Sequence, residues 1–289
     1  MYPQATLTHR IHPEASTTPP LWLWFNLLSL DAPAVAILWQ AFLARRLHAD
    51  VRWPAFVALG ASVWLIYVAD RLLDAFKNDR VIAPRHRFYR LHWWTTLKIF
   101  AAMLLVLGLV CSYLNIYVLR NGIVMASFVA IYFAAVHVSP PRLRHWWPKE
   151  LAVGVLFSAG TCLATWSKLD HEQSLIIVPA LFFASLCSMN CVAIEFWEWR
   201  RLRRVSGVAP HLYTVWMGPR LSRMSLLLLI ASCGLLGSSA FRPFFAPTAL
   251  SALSFWWLDR NSERLSMDAL RVLADVALLT PLLLFGFGR

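Results

Sequence analysis

The sequence predicts an all-α integral membrane protein with about nine transmembrane helices. Three observations lead there. The chain is 59% hydrophobic and only 15% charged, whereas soluble domains carry about 25% charged residues. Apolar runs free of charge recur along the whole chain, and a spanning helix needs ~20 such residues. Fifteen Trp are present, a residue that gathers at the membrane–water interface.

The apolar runs place spans at 24–44, 54–73, 97–119, 122–138, 149–167, 174–196, 223–241, 243–258 and 269–287. The eighth is short. The ninth carries Asp268, Arg271 and Asp275 at its start, so eight or ten spans fit the pattern as well. Residues 1–20 are polar and Pro-rich and read as a flexible tail without a cleavable signal pattern. The connections are too short for a soluble domain, which leaves residues 21–289 as one transmembrane helical domain.

Orientation follows from Lys and Arg, which concentrate on the cytoplasmic side. With nine spans, 20 of the 27 Lys and Arg fall on the side that holds the N-terminus. The chain is therefore expected in the cytoplasmic membrane with its N-terminus inside. Arg45, Arg46 and Arg52 run against the trend.

Net charge is +12. In a soluble domain such a balance suggests nucleic acid. Here the cations sit between apolar runs, so they set topology and meet anionic lipids or phosphates, and no nucleic-acid partner is expected. The five Cys all lie within apolar runs, with no CxxC, and read as buried free thiols. Only His137 lies where a bundle would place a haem ligand. GxGxxG, P-loop and HExxH patterns are absent.

Chemistry is concentrated at two span ends. The second span closes on WLIYVADRLLDAFKNDR, with Asp70 and Asp74 one helical turn apart and Arg71 between them. Residues i and i+4 share a helix face. Charge at the mouth of a spanning helix is costly and usually functional. A hard cation such as Mg2+ takes carboxylate oxygens, often shared with a bound phosphate, and arginines suit that phosphate. The sixth span closes on SMNCVAIEFWEWRRLRR, with Asn190, Glu195 and Glu198. Both spans are even-numbered and end on the same side, so the two acidic ends are expected to converge on one polar cavity.

This arrangement resembles the UbiA superfamily of intramembrane prenyltransferases, whose first motif reads NDxxDxxxD and whose second is a DxxxD-like acidic motif. Asp70 and Asp74 match the last two acids of the first motif, while Ile66 and Tyr67 stand where the family has Asn and Asp. Asn190 and Glu198 can be laid on the second motif, with Glu195 one position from its middle acid. The run WWPKELAVGVLFSAGT, with Lys149, Gly154 and Gly160, is similar to the start of the family's fifth helix.

The resemblance implies a Mg2+-dependent transfer of an isoprenyl group from a prenyl diphosphate to an aromatic or other lipid-like acceptor. It implies catalytic roles for Asp70, Asp74, Glu195 and Glu198, and metal binding by Asp70, Asp74, Asn190 and Glu198. Arg71, Lys77, Arg85 and Lys149 would hold the diphosphate. Trp64, Tyr67 and Phe157 would face the allylic cation.

The competing readings are plainer. Asp70 and Asp74 would pair with Arg71, Lys77 or Arg80 as a helix-end ion cluster. Glu195 and Glu198 would neutralise the run Arg200–Arg204, and Lys149 would snorkel. Asp31 precedes Pro33 and reads first as a helix cap. A UbiA fold without catalysis, binding lipid or an assembly partner, fits the missing Asn and Asp. A transporter is disfavoured because no internal repeat is visible.

Overall fold

The computed structural model describes residues 20–77, 84–138, 140, 148–169, 173–206, 211–237 and 242–284. Among these residues it is all-helical, without strands. The helices are α1 (Leu21–Leu27), α2 (Asp31–Arg46), α3 (Trp53–Lys77), α4 (Pro84–Leu91), α5 (Trp93–Cys111) and α6 (Ile116–His137). They continue as α7 (Lys149–Trp166), α8 (Ile177–Ser206), α9 (Leu212–Met217), α10 (Leu221–Leu235), α11 (Arg242–Arg260) and α12 (Met267–Val276).

Four of the described helices, α3, α5, α6 and α8 with the 3-10 turn before it, are long and apolar enough to cross a membrane. The pair α1–α2 makes a fifth if it is counted as one bent span. The chain is thus a multi-pass helical membrane protein. The run expected as a single crossing over 24–44 is broken. α1 and α2 meet at 79°, around Ser29, whose φ is 57°. Left-handed backbone costs a non-glycine residue about 1–2 kcal/mol. The Ser29 hydroxyl, 2.6 Å from the Tyr89 hydroxyl, helps hold the corner.

Other boundaries move for local reasons. The run 97–119 is cut by a turn before α6, where the Asn115 side chain caps the helix by accepting from the Tyr117 amide at 2.9 Å. The run 269–287 becomes α12, capped by Ser266, followed by a 3-10 turn at Thr280–Leu284. α4 fills part of what reads as a loop and buries Tyr89.

The core lies between α2, α8, α11 and α12. Trp39 stacks on Phe183 at 4.4 Å and donates to the Leu278 carbonyl at 2.8 Å. Phe42, Phe244, Phe245 and Phe255 complete it. α8 is half buried over its span, whereas α5 and α6 have only 11% and 6% of theirs buried. Their apolar faces suit lipid. α5 packs on α3 and α6 packs on α7, with little contact between α5 and α6 themselves.

α7 and α8 touch most closely at Gly154. A Cβ there would lie 2.6 Å from the Ala184 carbonyl oxygen and 2.7 Å from the Ser188 nitrogen, both backbone atoms that cannot swing aside. Gly154→Ala is expected to cost about 1–3 kcal/mol, read as a lower melting temperature in detergent. Gly160, on the same helix with open space around it, should accept Ala without loss. Equal melting of the two variants would refute the close contact.

Candidate functional site

One end of the bundle gathers α1, α9 and α12, the ends of α3, α6 and α11, the middle and end of α8, and the starts of α2, α7 and α10. The side-chain bonds fix this, because each polar cluster joins residues from those elements. Burying such groups is tolerable only where they satisfy one another.

The first cluster is built on α7. Lys149 Nζ lies 3.2 Å from Glu195 Oε1 and 3.6 Å from Glu150 Oε1. Glu150 is only 2% exposed. Thr214 Oγ1 donates to Glu195 Oε2 at 2.7 Å. A cation at a helix N-terminus opposes the helix dipole, so the two acids are what make this position favourable for Lys149. On α3, Asp70 Oδ1 lies 3.2 Å from His137 Nε2. Asp74 is within electrostatic reach of Lys149, and both Asp70 and Asp74 are within reach of the Tyr132 hydroxyl. Glu195 of α8 thus touches Lys149, and the Asp74 charge at the end of α3 acts on the same ammonium from a longer distance.

The second cluster sits at the α1–α2 corner. Asn26 Nδ2 donates to Asp31 Oδ2 at 2.6 Å and to Asp275 Oδ2 at 3.2 Å. Asn190 Nδ2 donates to Asp275 Oδ1 at 3.1 Å. Arg71 is buried, donates to the Asn26 carbonyl at 2.7 Å, and stands over the Tyr67 and Tyr89 rings at 5.0 and 5.9 Å. It interacts with the charges of Asp31 and Asp275. Helix periodicity explains why Arg71 departs from Asp70: one residue along a helix turns about 100°, so Arg71 reaches α1 while Asp70 reaches His137 of α6.

Glu198 belongs to a third group. It pairs with the buried Arg271 at 2.8 Å, and Arg271 also meets Asp268 at 3.2 Å. The nearby Asp259 accepts from Trp197 Nε1 at 3.0 Å and from the Ser222 hydroxyl. Glu195 and Glu198, which share a face by spacing, thus serve different neighbours. The side chains of Lys77 and Arg85 lie outside the described residues. Of the aromatics expected near a cation, Phe157 packs on Phe183 at 6.0 Å and Trp64 donates to the Leu28 carbonyl.

Among the described residues, no three His, Cys, Asp or Glu side chains come together so as to hold a metal ion. Asp70 is engaged by His137, Asn190 by Asp275 and Glu198 by Arg271. Mg2+ carried in with a phosphate needs only one or two carboxylates from the protein, and Asp70 with Asp74 can provide those.

Several members of these clusters escape sequence reasoning: Asn26, Tyr132, Glu150, Thr214 and the role of Asp275. The available signal was polarity inside apolar runs, which marks Asn26, Asp31, Glu150 and Asp275.

No protein-family model matches the chain. No solved structure matches it. The NADH-ubiquinone oxidoreductase chain 2 of Saccopteryx leptura is 26% identical over 153 residues, covering 49% of this chain and 43% of that protein. The chain therefore spans less than half the length of the relative it matches. The similarity supports a membrane-embedded helical protein and assigns no activity to this chain.

Proposed function

We propose that this chain is a UbiA-like protein of the cytoplasmic membrane that binds a prenyl diphosphate at the polar end of the bundle and transfers its isoprenyl group to an aromatic or other lipid-like acceptor. The observation that carries this reading is the Lys149–Glu195 pair, 3.2 Å apart, with the Asp74 charge of α3 within electrostatic reach of the same ammonium. Lys149 supplies positive charge for the diphosphate. Asp70 and Asp74 would hold Mg2+ bound to that diphosphate, which would neutralise charge developing on the leaving group. Arg71 acts from behind, by fixing the α1–α2 corner. Tyr67, under the Arg71 guanidinium, occupies the position of a motif acid. The isoprenoid tail would enter between α5 and α6, whose apolar faces are open to lipid.

Titration calorimetry in detergent with a prenyl diphosphate tests this. Binding is expected with Mg2+ and is expected to fall when Mg2+ is chelated. Asp70→Ala and Asp74→Ala should each weaken it by on the order of tenfold or more. If the wild type does not bind and Asp70→Ala only lowers the melting temperature, the acids are a structural ion cluster. A second reading, a UbiA fold that binds lipid or an assembly partner without catalysis, is favoured by Ile66 and Tyr67 in the first motif and by the engagement of Asp70 with His137. Binding without product from a panel of aromatic acceptors would select it.

The reading includes nine spans and a cytoplasmic N-terminus. The 20-to-7 division of Lys and Arg supports it. Reporter fusions at Asn78 and Lys168 should report opposite sides, with Asn78 inside. Identical signals would overturn the span count between them.

A further inference from the structure

At the end of the bundle opposite the acidic clusters, three connections converge: the α2–α3 loop, the α5–α6 turn and the C-terminal end of α7. They enclose a cavity of about 290 Å3 whose lining includes Arg52, Asn115, Val118, Ala164 and Lys168. We propose that this cavity is a binding site for the headgroup of an anionic phospholipid from the outer leaflet. This inference is independent of the prenyltransferase activity and rests on that reading only for which leaflet the cavity faces.

Three sources of positive potential face the cavity. Lys168 is the first; among the described residues it has no ion pair. Arg52 is the second. Its acid neighbour is Asp50 at 4.0 Å, and both side chains are largely in solvent, a geometry worth little. The third is the first turn of α6. Asn115 satisfies the Tyr117 amide there, and the remaining open amides carry the positive end of a 22-residue helix.

The wall between these groups is apolar. Ala55, Val118 and Ala164 form a small buried cluster there, with Val51 and Leu114 packed against it. A free, fully hydrated anion gains nothing from such a wall, whereas the glycerol and first methylenes of a lipid do. The site is also held in place. Asn121 Nδ2 donates to Ser167 Oγ at 2.9 Å, which ties the end of α7 beside the first turns of α6. At the rim, Trp53 and Tyr113 lie exposed with ring centroids 6.3 Å apart, the aromatic pair expected at the headgroup level. Exposed Leu105 and Leu109 continue down α5 where acyl chains would lie. The same cations account for Arg52 and Lys168 standing on the side that the Lys/Arg bias leaves poor.

The test is native mass spectrometry of the full-length protein titrated in detergent with phosphatidylglycerol, phosphatidylcholine or inorganic phosphate. Phosphatidylglycerol should be retained in preference to phosphatidylcholine, whose choline cation would face Arg52 and Lys168. The double substitution Arg52→Ala with Lys168→Ala should weaken phosphatidylglycerol retention about thirty-fold, from ~1 kcal/mol per cation near anionic lipid. Arg52→Lys with Lys168→Arg should restore it. Arg120→Ala, which removes an exposed cation stacked over Tyr117 at 5.9 Å outside the cavity lining, should leave retention within about twofold. Equal retention of the two lipids, wild-type retention in the double Ala variant, or an equal loss in Arg120→Ala would overturn the proposal. Displacement of the lipid by millimolar inorganic phosphate would also overturn it, by assigning the cavity to a free anion.

Discussion

Replacing Arg71 by Met is expected to destabilise the protein by about 3–5 kcal/mol, the cost of removing one partner from a buried charged network. In a chain of this size that is roughly 5–8 °C in apparent melting temperature. Arg71 is 6% exposed and donates to the Asn26 carbonyl at the broken α1–α2 corner. Its charge faces Asp31 and Asp275, which Asn26 bridges at 2.6 and 3.2 Å. Met retains most of the volume and its contact with the Tyr67 and Tyr89 rings, so the loss reports charge rather than packing. Adding Asp275→Asn to Arg71→Met should recover part of the stability, because a neutral amide no longer needs the cation. Full wild-type melting in Arg71→Met alone would mean that the network is not a structural charge cluster.

Lys149→Met should have a comparable cost, again about 3–5 kcal/mol, and should also abolish binding of a prenyl diphosphate. The stability loss arises because Glu150, buried at 2% exposure, and Glu195 lose the ammonium that lies 3.6 and 3.2 Å away. The two effects separate in the double variant Lys149→Met with Glu195→Gln. Part of the stability should return, since the amide can still accept from Thr214 and only Glu150 is left without the ammonium, whereas diphosphate binding should not. If the double variant binds like the wild type, Lys149 serves the ion cluster alone and the diphosphate site lies elsewhere.

Much of this architecture is legible in the sequence because lipid imposes a simple constraint: every spanning backbone must satisfy its own hydrogen bonds, so apolar runs become helices. α3 and α8 follow from their runs, and Asp70, Asp74 and Glu195 follow from polarity placed where it is costly. The same runs mislead where a local polar group outweighs hydropathy. Asn115 caps a new helix inside the run 97–119, and the corner at Ser29 divides the run 24–44 into two helices at 79°.

The amino-acid sequence by itself determined that the chain is a helical, multi-pass membrane protein and that its acids collect at span ends, because hydropathy and charge act locally along the chain. Only the tertiary structure decided who pairs with whom. Spacing put Glu195 and Glu198 on one face, yet one meets Lys149 and the other Arg271. Arg71 sits between two acids in sequence but turns to Asn26, 45 residues away. Asp275 joins Asn26 across 249 residues. Those partners lie on different helices, and which side of a helix faces which neighbour is set by packing, as at Gly154 against Ala184 and Ser188, rather than by any periodicity within one helix.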